Sequence, residues 1–470
     1  MMKAYFWFPL ILLLSGSLTL FANENAERPN IVIFLADDLG WADVGWHGTE
    51  IKTPNLDLLA SQGVKLEQFY VQPVCSPTRA SLMTGRHTFR YGLQNVVRPW
   101  ADYGLPTEER TLAEALRDAG YYTAITGKWH LGEVEKKYLP LQRGFDYHYG
   151  FYRGAIDYYE HTASGVGGLD WHRNGKPLRE EGYSTDLIAD DAVRVIKNHD
   201  DVKQPLFLYV PFNAVHGPYQ ETPEKNLYEQ YTDLKGTRKI YAGMIASMDN
   251  AVGQIVKALE DKGIKDNTLI FFSSDNGGPQ PKVVTDNGPL RGGKATLYEG
   301  GLRVPAFVVW PGKIKPDTVT EQPIHIVDLY PTLIGIAGGT LEQKLPLDGI
   351  DLKELFLENK PLARKEIPLY SIPNMGAIRV GDWKLVRSRT QNMVAAIEQP
   401  GLTNNLESKT ELFNLADDPN EKNNLAESNP EKLKELFDRL EAYTKQTVTP
   451  LGSKPRSPDY KPKEVWGYFD

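Results

Sequence analysis

Cysteine is almost missing from this chain, with one in 470 residues, so no internal disulfide forms. A lone thiol is buried and inert, used between chains, or used for chemistry, and its neighbours decide which. An excess of positive charge is also missing: 53 Lys+Arg face 61 Asp+Glu, a formal charge of −8. That balance argues against general nucleic-acid binding, and it obliges any anionic substrate to find locally concentrated positive charge. No internal repeat or low-complexity segment interrupts the sequence.

Uncharged runs of membrane length are confined to residues 4–23, which follow Lys3 and close on Phe21-Ala22-Asn23. This pattern predicts a cleaved export signal over residues 1–22, with Ala22 the last residue removed, and a periplasmic or secreted protein. An uncleaved anchor is the alternative, since 20 uncharged residues are long enough to span a bilayer. Ser15-Gly16-Ser17 and the small-residue end favour cleavage, so no stable membrane anchor is expected. Without a cysteine near its end, the segment is not a lipoprotein signal.

What is present is a globular composition, 41% hydrophobic and 24% charged. The 448 residues left after subtracting 22 from 470 exceed one ordinary core. A large domain over 23–360 and a smaller one over 361–470 are expected. Apolar runs of strand length at Ile31–Leu35, Tyr121–Thr126, Leu206–Val210, Thr268–Phe272 and Ala306–Trp310 alternate with helical patterns. Thr53-Pro54 to Gly63 is one such helix, and Thr111 with Glu114 forms a capping box before another. Further helical stripes run from Leu187 to Ile196 and from Ile240 to Leu259. This is an α/β pattern: a mostly parallel sheet with helices on both faces. Beyond residue 360, a hairpin (Ala377–Val380, Trp383–Val386), a strand at Glu411–Leu415 and an amphipathic helix from Leu433 to Tyr443 predict a small antiparallel sheet with a covering helix. The tail after Thr449 is expected to wrap the surface.

Ligands of open α/β sheets bind beyond the carboxyl ends of the strands. There the sequence delivers Asp37 and Asp38, Lys128 and His130, His216, and Asp275 with Asn276. The two acidic pairs offer only hard oxygen donors, a set for Ca²⁺ or Mg²⁺ rather than zinc. Either pair alone is as readily a turn cap; two pairs in one crevice favour a metal.

The cysteine lies in Cys75-Ser76-Pro77-Thr78-Arg79, with Ala80–Arg86 continuing as a helical start. Pro suits a first helical turn, whose N–H groups favour a bound anion. Gly127-Lys128-Trp129-His130-Leu131-Gly132, Asn213-Ala214-Val215-His216, Asp275-Asn276-Gly277-Gly278 and Leu290-Arg291-Gly292-Gly293-Lys294 complete a set of segments. With them the sequence resembles the type I sulfatases from about Arg28 to about Ala426. Gly40-Trp41, Arg143-Gly144-Phe145-Asp146 and Asp157-Tyr158-Tyr159 give it a likeness to the arylsulfatase B group, the N-acetylgalactosamine-4-sulfatases, although that group's disulfide cysteines are missing.

The resemblance implies an alkaline-phosphatase-like fold and a sulfuric ester hydrolase. It implies that a maturation enzyme oxidises Cys75 to formylglycine, whose hydrate attacks sulfur with one hydroxyl and expels sulfate with the other. It further implies one Ca²⁺ held by Asp37, Asp38, Asp275, Asn276 and an oxygen of modified Cys75. Asp275 is then also placed to accept the hydrate's proton. Arg79 steadies the modified residue and Lys128 and Lys294 neutralise sulfate oxygens. His216 protonates the departing alkoxide, and His130 takes the proton of the second hydroxyl. His148, His161, His172, His199 and His325 are read as structural or surface residues, and His47 and His87 stay open. A sulfated glycan is the expected substrate, with Arg98, Trp100, Arg153 and the Asp157-Tyr158-Tyr159 group as its candidate contacts. The alternative is a phosphonate monoester or phosphodiester hydrolase using the same modified cysteine; a catalytically silent glycan-binding relative would have lost part of this set.

Overall fold

The computed structural model describes residues 1–2, 28–279, 281–389, 408–452, 457 and 459–469. Residues 3–22 of the expected export signal therefore lie outside the described residues. Among the described residues no helix is long and apolar enough to cross a membrane.

A ten-stranded sheet organises the larger part. Its centre runs Thr268–Ser274, Asn30–Ala36, Leu206–Pro211, Tyr122–Lys128 and Tyr147–Phe151, each parallel to the next. The Ile31–Leu35 run reads as continuously apolar because both faces of its strand are covered. Val32 and Phe34 join one core with the helices Pro54–Ser61, Ser184–Asn198 and Gly236–Lys262. Ile31, Ile33 and Leu35 join the other with Cys75–Thr84, Leu112–Asp118 and Leu329–Ile336. Each such fully buried aliphatic side chain stabilises the fold by roughly 1.5–3 kcal/mol, which pins the register of the strand that ends on Asp37. The capping box forms as expected, with Thr111 Oγ1 accepting from Glu114 N and Glu114 Oε2 from Thr111 N.

Two features depart from the simple alternation. Ala306–Val309 is a strand, yet it pairs antiparallel with Thr268–Ser274. Ala306 pairs with Ser273, so the chain re-enters the sheet at the end where Thr268–Ser274 left it; a parallel strand would have needed a full crossover. In the C-terminal part the hairpin Met375–Val380/Trp383–Ser388 and the strand Lys409–Asn414 are joined by Glu366–Ile372 at the far edge. Pro368, where the register shifts, masks that strand in the sequence. The helix Pro430–Thr444 covers one face through Leu436 and Leu440.

Candidate active site

Four strand ends and one helix start converge. Asp37 and Asp38 follow Asn30–Ala36, Lys128 ends Tyr122–Lys128, and Asp275 and Asn276 follow Thr268–Ser274. His216 comes five residues after Leu206–Pro211, and Cys75 opens the wholly buried helix Cys75–Thr84. Arg79, one turn into that helix, donates from Nε (3.0 Å) and Nη2 (2.7 Å) to Asp275 Oδ2 and from Nη1 to Lys128 O. Lys128 Nζ donates to Asp37 Oδ2 at 2.5 Å. Lys294 Nζ lies 2.6 and 2.9 Å from the two oxygens of Asp38, Asn276 Nδ2 donates to Asp38 Oδ1, and His216 Nε2 stands 3.5 Å from Asp38 Oδ2.

Three carboxylates thus face three cations in a nearly solvent-free cluster. Like charges about 4 Å apart repel by roughly 4 kcal/mol at an effective dielectric near 20, and the carboxylates answer differently. Burial pushes Asp37 up to about 7 and Asp275 adds to it, against the pull of Lys128 and Arg79. Burial acts on Asp38 too, but Lys294 and His216 outweigh it and hold that carboxyl at about 2. Burial and Lys294 bring His216 down to about 4, and burial with Lys128 and Arg79 carries His130 well below its ordinary range. Burial also raises the Cys75 thiol despite Lys128 and Lys294. An unmodified Cys75 is therefore a protonated thiol at neutral pH, a weak nucleophile.

A hard cation fits this donor set. Asp37 Oδ1 and Asn276 Oδ1 are buried without a hydrogen-bond partner, and orphaned buried oxygens are costly unless something satisfies them. One atom each of Asp37, Cys75 and Asp275 falls within 4.8 Å of the others, and so does one each of Asp37, Asp38 and His216. Oxygen donors dominate, which suits Ca²⁺ or Mg²⁺.

Cys75 opens onto a cavity of about 430 Å³ that His130, His216, Lys294, Arg98 and Arg153 also line, and among the described residues no carboxylate is in its wall. His130 Nε2 meets Val97 O at 3.1 Å. Gly154 lies against its ring, where an added Cβ would approach Nε2 to 2.6 Å. Other expected contacts fall elsewhere. Trp100 is outside the cavity wall, edge-on to Tyr460. Tyr158 is buried and donates its hydroxyl to Asn213 O and His216 O, fixing the His216 loop rather than facing a sugar. Tyr159 donates to Glu221 O. His148, His161, His172, His199 and His325 are buried away from this cavity. Sequence reading missed Ser164, which lines the cavity, and Glu133, which pairs with Arg153; neither lies in a motif.

The profile of the family described as Sulfatase matches residues 29–339. The chain belongs to the sulfatase family. A second profile, N-sulphoglucosamine sulphohydrolase, C-terminal, matches residues 293–447. Among curated proteins, the sulfatase is 36% identical over 501 residues to arylsulfatase J of Mus musculus, spanning 96% of this chain and 83% of that one. It is 34% identical over 399 residues to N-acetylgalactosamine-6-sulfatase of Canis lupus familiaris, spanning 80% and 74%. Among solved structures, Ps i-CgsB superposes with a TM-score of 0.80 at 33% identity, over 90% of this chain and 94% of that one. It has also been crystallised in complex with k-i-k-neocarrahexaose. The mostly parallel sheet with its small antiparallel companion is the alkaline-phosphatase-like fold of these enzymes, and the protein is a sulfuric ester hydrolase.

Proposed function

We propose that this protein is an exported, calcium-dependent sulfatase that removes sulfate from a sulfated carbohydrate, with Cys75 converted to formylglycine by a maturation enzyme. The observation that carries the reading is Cys75 at a helix start, beside Asp37 and Asp275 and open to a cavity walled by cations. Carbohydrate as the substrate class is supported by the sugar sulfatases and the carrageenan complex among its relatives.

When bound, Ca²⁺ supplies fixed positive charge to the sulfuryl oxygens, and formylglycine supplies the attacking oxygen through its hydrate. The chain's own residues do the rest. Arg79 fixes Asp275 through two N–H donors to Oδ2, while Oδ1 accepts from the Asp38 backbone N–H at 3.3 Å. Lys128 and Lys294 hold Asp37 and Asp38 and present the positive charge that a bound sulfate meets. His216, on the cavity wall and with its backbone carbonyl held by Tyr158, protonates the departing alkoxide once the negative charge of the bound sulfate ester offsets the burial and the Lys294 charge that hold the free imidazole at about 4. His130, on the same wall with Nδ1 unpartnered, takes a proton in the step that frees sulfate. Arg98 and Arg153 line the side where the sugar lies.

The test is turnover of matched aryl sulfate and aryl phosphodiester substrates, followed by defined sulfated oligosaccharides, by protein co-produced with a maturation enzyme. Preferential sulfate release, lost with chelator and restored by Ca²⁺, is expected; preferential hydrolysis of the phosphodiester would overturn the reading.

A further inference from the structure

After the helix Pro430–Thr444 the chain returns across the larger part of the molecule. Val448 N donates to Phe89 O and Leu451 N to Gly92 O, at 2.9 and 2.7 Å. Further along, the Tyr460 hydroxyl donates to the carbonyl of Pro99, a cavity-wall residue. The strap then meets the 167–169 segment. Leu169 N donates to Glu464 O, Trp466 N to Leu169 O, and Trp466 Nε1 to Gly167 O at 2.8 Å. Gly168 makes this approach possible: its φ is +82°, and a Cβ there would sit 2.0 Å from Lys463 O.

The strap buries Trp466 (1% exposed) with its ring beneath Arg153, whose Cζ lies 4.5 Å from the ring centroid. Glu133 accepts from Arg153 Nη1, and Asp170 accepts from the Arg153 backbone N–H. The guanidinium is thus held by a ring face and one carboxylate. Among the described residues Glu133 is the one group accepting from it, so Nε and Nη2 remain available on a side chain that lines the cavity. Arg153 also directly precedes Gly154, the residue packed on His130.

We propose that this strap is a specificity element, in which Trp466 and Glu133 position Arg153 so that its available donors read a second anionic group on the sugar carrying the scissile sulfate. The inference rests on the sulfatase reading above. A stacked, pre-oriented guanidinium loses little freedom on meeting an oxyanion, and Arg98 and Lys294 share the cavity wall that such an oxyanion would face.

Kinetics with 4-nitrophenyl sulfate and with mono- and disulfated galactose and N-acetylgalactosamine test it, using Trp466→Leu, which keeps bulk but no ring face, and Trp466→Phe, which keeps a ring. In Trp466→Leu the kcat/KM ratio of the disulfated sugar to the aryl sulfate should fall about tenfold, through KM rather than kcat, while Trp466→Phe should stay within about threefold of wild type. An unchanged ratio in the Leu variant, a loss shared equally by all substrates, or Leu and Phe variants that behave alike would overturn the proposal. Wild-type protein that turned over no sulfate ester would instead overturn the sulfatase reading itself.

Discussion

Arg79 shows how much depends on one side chain. Its planar fork reaches both Asp275 and the Lys128 carbonyl, joining the helix that carries Cys75 to two strand ends. A lysine keeps the charge but not the three-way geometry. Arg79→Lys should therefore lower kcat by about 10²–10³, measured by sulfate release, with folding intact by circular dichroism; near wild-type turnover would contradict its role. The site was largely legible at this scale, because side chains that follow buried strands are delivered to one crevice whatever the loops do. Asp37, Lys128 and Asp275 were readable for that reason. Glu133 and Trp466 were not: each acts on Arg153 through tertiary packing, and Trp466 lies in a segment with no periodic pattern.

Among elements, the contact between the short helix Glu299–Leu302 and the small sheet is ionic and dry. Lys384 donates to Glu299 Oε1 and lies 2.8 Å from Glu421 Oε1, while Glu421 Oε2 accepts from Glu299 N. Burial pushes Glu421 up to about 7 against the pull of Lys384, with Glu299 adding to the push. A raised folded-state value means the folded state holds a proton that the unfolded state releases near its ordinary value. This contribution is thus full below about pH 4.5 and lost as pH rises through about 7. Glu421→Gln keeps the acceptor and removes the titration, so its Tm should fall less between pH 5.5 and 8 than that of wild type; parallel curves would contradict this. Thr111→Ala removes the capping box and should cost about 1 kcal/mol in denaturant unfolding. Elements with local signals, such as that box and the Met375–Ser388 hairpin, could be read from sequence. The antiparallel turn of Ala306–Val309 could not, since a lone apolar run does not say from which end the chain re-enters.

Across the whole molecule, an acidic chain of charge −8 gathers cations in one cavity. Beneath that cavity it also gathers three carboxylates that a divalent cation would relieve. Ca²⁺ that binds only the folded state should raise stability by about 2.7 kcal/mol at a hundredfold excess over its dissociation constant, visible as a rise in Tm that Asp275→Asn abolishes. A Tm indifferent to Ca²⁺ and to chelator would contradict the metal site. The central claim, that catalysis runs through a modified Cys75, is tested most directly by mass spectrometry of the Cys75 peptide from protein of measured sulfatase activity. An aldehyde in place of the thiol, in a fraction that tracks activity across preparations, is the predicted result; full activity with an unaltered thiol would contradict it.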